Sequence, residues 1–159
     1  MATIKFLNEA GKYTDPNALE AVIAYILQAH KTPSHIVGGI GVDLQTAAES
    51  MHAVSQHFRK EHGVRLRHFI LSFYPQETPK NHIAQKIAAQ ICSHIGKQYQ
   101  IVYALHEDAA MLHLHFVFNS VSYVDGYKYH GSKEDYYTLL NLIWGVLLPC
   151  GITKLIRVK

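Results

Sequence analysis

Cysteine is scarce in this chain, with two residues, Cys92 and Cys150, among 159. They form neither a Cys-x-x-Cys pair nor a regularly spaced framework, which argues against disulfides and for a reducing, cytoplasmic setting. Long apolar runs are lacking too. Nothing approaches the ~20 consecutive apolar residues of a membrane-spanning helix, and the opening Met1-Ala-Thr-Ile-Lys-Phe6 holds no signal-peptide hydrophobic region. No membrane insertion is therefore expected. Charge is modest: 17% of residues are Asp, Glu, Lys or Arg and the formal net charge is +3, compatible with a nucleic-acid partner but too weak to argue for one unaided. A glycine-rich phosphate loop, an internal repeat and a low-complexity linker are also missing, so the chain reads as one domain over residues 1–159.

Apolar residues make up 48% of the chain, ordinary for a globular domain with a sizeable core. Histidine and tyrosine stand out, with 12 and 10 copies. The histidines concentrate in His106-Glu-Asp-Ala-Ala-Met-Leu-His113-Leu-His115-Phe-Val-Phe-Asn119. From Leu112 to Phe118 this reads as a strand, whose period of two sends Leu112, Leu114, Phe116 and Phe118 to one face and His113, His115, Val117 and Asn119 to the other. The preceding run Tyr99 to His106 is also strand-like, and a short link would turn the chain back and lay His106 beside the pair. Three neutral imidazoles could then converge on a divalent metal, with the nearby acids Glu107 and Asp108 to orient their outer nitrogens. A His-x-His pair taken alone is more often a surface or hydrogen-bonded pair than a ligand set, and 12 histidines make some such spacing a matter of chance.

The remaining pattern alternates strands and helices. Strands are expected at Thr3 to Leu7, His35 to Ile40, where Gly38-Gly39 would admit a bulge or a close backbone, Leu66 to Tyr74, and Ile152 to Val158. Asp15 and Pro16 open a first helix with the stripe Leu19, Val22, Ile23 and Ile26, which places Tyr25 roughly 110° from the stripe's centre, at the border of the core. Asp43 caps a second helix, Thr78-Pro79 start a third, and Ser132 with Asp135 forms a capping box for a fourth. Asp125-Gly126 has the composition of a tight two-residue hairpin turn that extends the histidine strand. The fold class is α+β: an antiparallel sheet with helices covering one face and an open face carrying the histidine site.

Several stretches together resemble the relaxases, or mobilisation nucleases, of conjugative plasmids and transposons, which are HUH endonucleases. They are Ala24-Tyr25-Ile26 with Lys31-Thr32, Gly38-Gly-Ile-Gly-Val-Asp43 with Thr46-Ala47-Ala48, His68-Phe-Ile-Leu-Ser72-Phe73, His106-Glu-Asp108, His113-Leu-His115-Phe-Val-Phe-Asn119 and Asp125-Gly-Tyr-Lys-Tyr-His130. The resemblance implies site-specific nicking and rejoining of single-stranded DNA at an origin of transfer through a 5′-phosphotyrosine. It makes Tyr25 the nucleophile, His106, His113 and His115 ligands of Mn²⁺ or Mg²⁺ with Zn²⁺ as an alternative, Asp108 a supporting acid and Ser72 part of the substrate site. Lys31, Thr32, Asn119, Lys128, Tyr127, Tyr129 and His130 become candidate DNA contacts, the basic and aromatic ones suited to phosphate and base faces. Met111 stands where many relatives carry a further histidine. Relatives are also usually longer, so the chain is expected to be the N-terminal nuclease part of a larger protein that works with accessory relaxosome and coupling proteins.

Three other readings use the same residues. A rolling-circle replication initiator would share the metal and the tyrosine but act at a replication origin. A zinc hydrolase would activate water on the three histidines and leave Tyr25 structural. A binding module without catalysis would use the histidines only as hydrogen-bonding groups.

Overall fold

The computed structural model of the protein describes residues 1–9, 11–28, 36–107 and 111–159. Along the chain come β1 (Ala2–Leu7), α1 (Ala18–Ile26), β2 (Val37–Ile40), α2 (Ala47–His57), β3 (Leu66–Phe73), α3 (Asn81–Ile95), β4 (Ile101–His106), β5 (Leu112–Asn119), α4 (Lys133–Leu147) and β6 (Leu155–Val158). The strands form one six-stranded sheet in the order β2-β4-β5-β3-β1-β6. No helix among the described residues is long and apolar enough to cross a membrane.

The α+β class is as expected, with two refinements. The sheet is mixed: β6 pairs parallel to β1, while every other strand pair is antiparallel. The cause is α4, which carries the chain back along the sheet after β5, so that the next strand starts in the same direction as β5 and β1. The second refinement concerns the open face. Phe69, Leu71, Phe73, Leu114, Phe116 and Phe118 pack under α3 and α4 as the period of two predicts. The opposite face is not bare, because Leu66, Val102, Ala104 and Val117 are apolar there and are buried under Leu19, Val22, Ile23 and Ile26 of α1 and Met51 of α2. A sheet half covered with Val and Ala must bury that half, and at the histidine end of this face His106 and His115 are buried as well while His113 is half-buried.

Local chemistry sets the element ends. The Asp15 carboxylate accepts the Asn17 N–H at 2.7 Å, a turn that delays the regular helix to Ala18. Asp43 caps a single 3-10 turn, Leu44–Thr46, ahead of α2. The capping box of α4 is complete: the Asp135 N–H donates to Ser132 Oγ at 3.1 Å and the Ser132 N–H to Asp135 Oδ2 at 3.0 Å. Ser132→Ala should therefore cost about 1 kcal/mol, readable as a lower urea midpoint with an unchanged slope.

Gly39 confirms the close approach expected of β2, since a Cβ there would lie 2.7 Å from the Ile101 carbonyl oxygen on β4. The turn at Asp125-Gly126 is wider than the expected two residues. The Ser122 N–H bonds to the Tyr127 carbonyl at 2.9 Å and the Gly126 N–H to the Ser122 carbonyl at 3.0 Å, so residues 123–126 form the loop. Ser122 Oγ accepts the Val124 N–H at 3.1 Å, and this side-chain bond stabilises the longer turn over a tight one.

Candidate active site at the histidine strands

The sheet register assembles the histidines. On β4 and β5, His106 stands directly opposite His113, and Ala104 opposite His115. On the other side of β5, Ser72 of β3 stands opposite His113 and Ile70 opposite His115. Cross-strand and diagonal neighbours on one face lie within side-chain reach, and the ring centroids are 4.1 Å apart for His106 and His115, 6.4 Å for His106 and His113, and 6.0 Å for His113 and His115. Tyr25 arrives from α1. Its ring meets both His106 and His115 edge-on at 6.1 Å, and it remains 42% exposed, the border position its helical phase predicts.

Burial differs across the three imidazoles. His106 and His115 are 1% and 4% exposed, while His113 is half-buried. The reason is α1, whose last turn lies over β4: His106 donates its Nε2–H to the Ile26 carbonyl at 2.8 Å. That bond places the His106 proton on Nε2 and its lone pair on Nδ1. Support for the rings was expected from Glu107 and Asp108. Instead Glu107 accepts from Asn81 of α3 at 2.8 Å, and Asp108 lies outside the described residues.

Two residues outside the candidate site set complete the cluster. His68 of β3 is hydrogen-bonded through Nε2 to His115 Nδ1 at 2.9 Å, and its Nδ1 is 3.3 Å from the Tyr13 hydroxyl. Burial first, then Lys12 and His106, pushes His68 down to about 4, so it is neutral at physiological pH. Burial first, then Glu9 and Tyr25, pushes the Tyr13 phenol up to about 12. Both therefore keep the protonation that a neutral relay needs. The sequence held a signal for His68, since it shares the face of Ser72 on a strongly alternating strand, but Tyr13 lies in a polar loop whose path only the folded chain fixes.

A cleft of about 520 Å³ opens beside this cluster, lined by Lys12, Ala21, Val22, Tyr25, His68 and His115 among others. As the side chains stand, no group of three or more His, Cys, Asp or Glu among the described residues is arranged to hold a metal ion; the His106 and His115 rings lie 4.1 Å apart, tilted by 37°. In chemistry the donor set does fit a divalent ion: the imidazoles are adjacent, and two have one ring nitrogen tied to a protein group, as metal-binding histidines do.

The remaining candidates divide. Ser72 is in the row of His106 and His113. Lys31 and Thr32 lie outside the described residues. Asn119 is a correction: it is 0% exposed, and its amide donates to the Met51 carbonyl and Gln100 and accepts the Val121 N–H, so it ties α2 to the sheet and cannot reach a DNA strand. Tyr129 packs on Phe118 and Tyr99, 5.0 and 5.6 Å away, on the α3/α4 side of the sheet. Tyr127 is exposed beside His130. Lys128 donates to the His62 carbonyl at 2.7 Å, and burial together with Arg65, Arg67 and Lys60 pushes it down to about 8. These last residues lie beyond the far end of β5 from His113, and the structure does not bring them to the histidines.

The fold thus sets a half-exposed tyrosine on a helix against the His-x-His strand. The model of one family, described as Relaxase: MobA/VirD2-like, nuclease domain, matches residues 25–144. The chain belongs to this relaxase family, and at that level it is a DNA-nicking nuclease domain. Comparison with curated proteins gave no significant match.

Proposed function

We propose that the chain nicks and rejoins one DNA strand at an origin of transfer, with Tyr25 as the nucleophile. The observation that carries this reading is the placement of Tyr25: on α1, half-exposed, against two of the three clustered imidazoles and lining the cleft. The strand lies in that cleft, where Lys12, now paired with Glu9 at 3.5 Å, would turn to a phosphate, and Ser72 stands opposite His113 on the neighbouring strand. Tyr25 Oη bonds to the scissile phosphorus, the P–O3′ bond breaks, and the 3′-oxygen leaves as a hydroxyl with the proton given up by the phenol. One phosphodiester replaces another, so the reverse attack by the 3′-hydroxyl reseals the strand without a nucleotide cofactor. His106, His113 and His115 would hold Mn²⁺ or Mg²⁺, and a bound ion supplies charge that offsets the negative charge at phosphorus.

Tyr13 and His68 position His115 in this proposal. If His115 donates from Nδ1 to His68, its lone pair lies on Nε2, and His68 in turn donates from Nδ1 to the tyrosine oxygen. His68→Leu should then weaken Mn²⁺ binding about 10–100-fold, the range for losing an outer partner of a ligating histidine, while His68→Gln should recover part of it. Calorimetric titration distinguishes the two, and equal affinities for both variants would dismiss the positioning role.

The reading as a whole is tested by incubating the protein with strands of candidate origins and Mn²⁺ or Mg²⁺, followed by denaturing electrophoresis. A covalent protein–DNA band is expected; cleavage with no covalent band would favour a metal-activated water. The same reading places the domain in the cytoplasm, at the front of a longer protein, with relaxosome and coupling proteins as partners.

A further inference from the structure

A second cavity, of about 480 Å³, lies on the α4 side of the sheet. Arg67, Lys133 and Arg157 line it together with Tyr129, Tyr136 and Tyr137, and no carboxylate is among its lining residues. Among the described residues none of the three cations is in an ion pair. The carboxylate whose charge acts on Arg67 is that of Asp135, and it is already bound to the Ser132 N–H. Arg67 is partly buried, gives one N–H to the Tyr129 carbonyl at 3.2 Å, and has a buried Nε without a hydrogen-bond partner. Placing a cation there without a counter-charge is costly unless an anion joins it.

The aromatic groups narrow the ligand. The Arg157 guanidinium lies 4.6 Å from the Tyr136 ring centroid and that of Arg67 lies 5.5 Å from Tyr129. A guanidinium stacked on a ring keeps its in-plane donors for a phosphate, and an exposed tyrosine such as Tyr137 offers a face to a base. Gly131 is part of the construction: its φ is +67°, and a Cβ there would come within 2.8 Å of the Arg67 guanidinium. The volume suits one nucleotide.

Leu7 and His68 line both this cavity and the cleft at Tyr25. β6 pairs with β1 only from Ala2 to Lys5, so at Phe6 and Leu7 β1 is itself the edge of the sheet. A strand leaving the cleft can round that edge. We propose that the cavity is a second DNA subsite, taking one nucleotide of the same single strand, its phosphate on Arg67, Lys133 and Arg157 and its base against Tyr137. This rests on the single-strand reading of the Tyr25 cleft and extends it to the opposite face.

The test uses the full chain and fluorescein-labelled single strands, measured by anisotropy over a salt series. The double variant Arg157→Glu, Lys133→Glu, both at exposed positions, should bind at least about tenfold more weakly near physiological salt, with the slope of log K against log salt lower by about 1.4, two single-strand contacts' worth. Tyr137→Ala should lose about fivefold or more with an unchanged slope. The same charge reversal at Lys86 and Lys97, neither of which lines the cavity, should change affinity less than about twofold. Strands carrying 5-iododeoxyuridine should photo-cross-link to the peptide holding Tyr136 and Tyr137. Strand binding that is equal in wild type and the Arg157→Glu, Lys133→Glu protein, equal losses from the Lys86 and Lys97 control, or the lack of that cross-link would overturn the subsite and leave the Tyr25 reading standing. A wild-type protein that binds no single strand would overturn both.

Discussion

Tyr25→Phe should form no covalent adduct with an origin strand, and its nicking rate should fall by on the order of 10⁶, the scale seen when a catalytic nucleophile is removed. The substitution deletes one oxygen from a half-exposed side chain and keeps the ring that packs edge-on against His106 and His115. Packing is thus preserved, and a lost hydrogen bond costs only about 0.5–1.5 kcal/mol. Affinity for the strand should stay within a few-fold, because binding is spread over the many residues that line the cleft and does not depend on the phenol oxygen alone. Tyr13 is the nearest competitor for the role, but it is buried and its hydroxyl is held at His68. Trapping the adduct on wild-type protein, digesting it and sequencing the modified peptide locates the bond. A phosphonucleotide on another tyrosine would reassign the nucleophile.

The second large effect is expected at the imidazoles, and burial decides which variant to make. His106 and His115 are enclosed under α1, so their replacement by alanine leaves a void and strips a partner from the Ile26 carbonyl or from His68. Each loss of a buried hydrogen-bond partner costs about 1–3 kcal/mol, and a drop in activity would mix folding with chemistry. His113 is half-buried at the open end of the row. His113→Ala should keep the thermal midpoint within a few degrees while lowering Mn²⁺ affinity by at least about 10–100-fold, since losing a ligand should cost no less than losing its outer partner. Strand cleavage should fall with the occupancy and return in part at high Mn²⁺. Unchanged affinity would remove His113 from the metal set and leave it as a neighbour of Ser72.

Much of the site was legible because β-structure has a short, rigid period. The alternation of Leu112, His113, Leu114 and His115 fixes which side chains share a face whatever surrounds them, and the antiparallel pairing of β4 with β5 then brings His106 opposite His113. The helical phase of Tyr25 was equally readable, since four apolar residues of α1, Leu19, Val22, Ile23 and Ile26, mark its buried side. Asn119 shows where the same reasoning stops. Its face was read correctly, but the helix that covers it, α2, approaches from 60 residues and more earlier in the chain, and its carbonyl at Met51 claims the Asn119 amide.

The sequence by itself determined the α+β class, the strand carrying His113 and His115, the border position of Tyr25 and the cap of α4, because each depends on spacing or on contacts a few residues apart. Only the tertiary structure decided that α1 closes over His106, that Tyr13 and His68 stand behind His115, that β6 joins parallel to β1, and that Arg67, Lys133 and Arg157 share one cavity. Arg67 and Arg157 lie 90 residues apart in the chain. No local period records such a meeting, since it is fixed by how strands pair and by which apolar surfaces must be covered together.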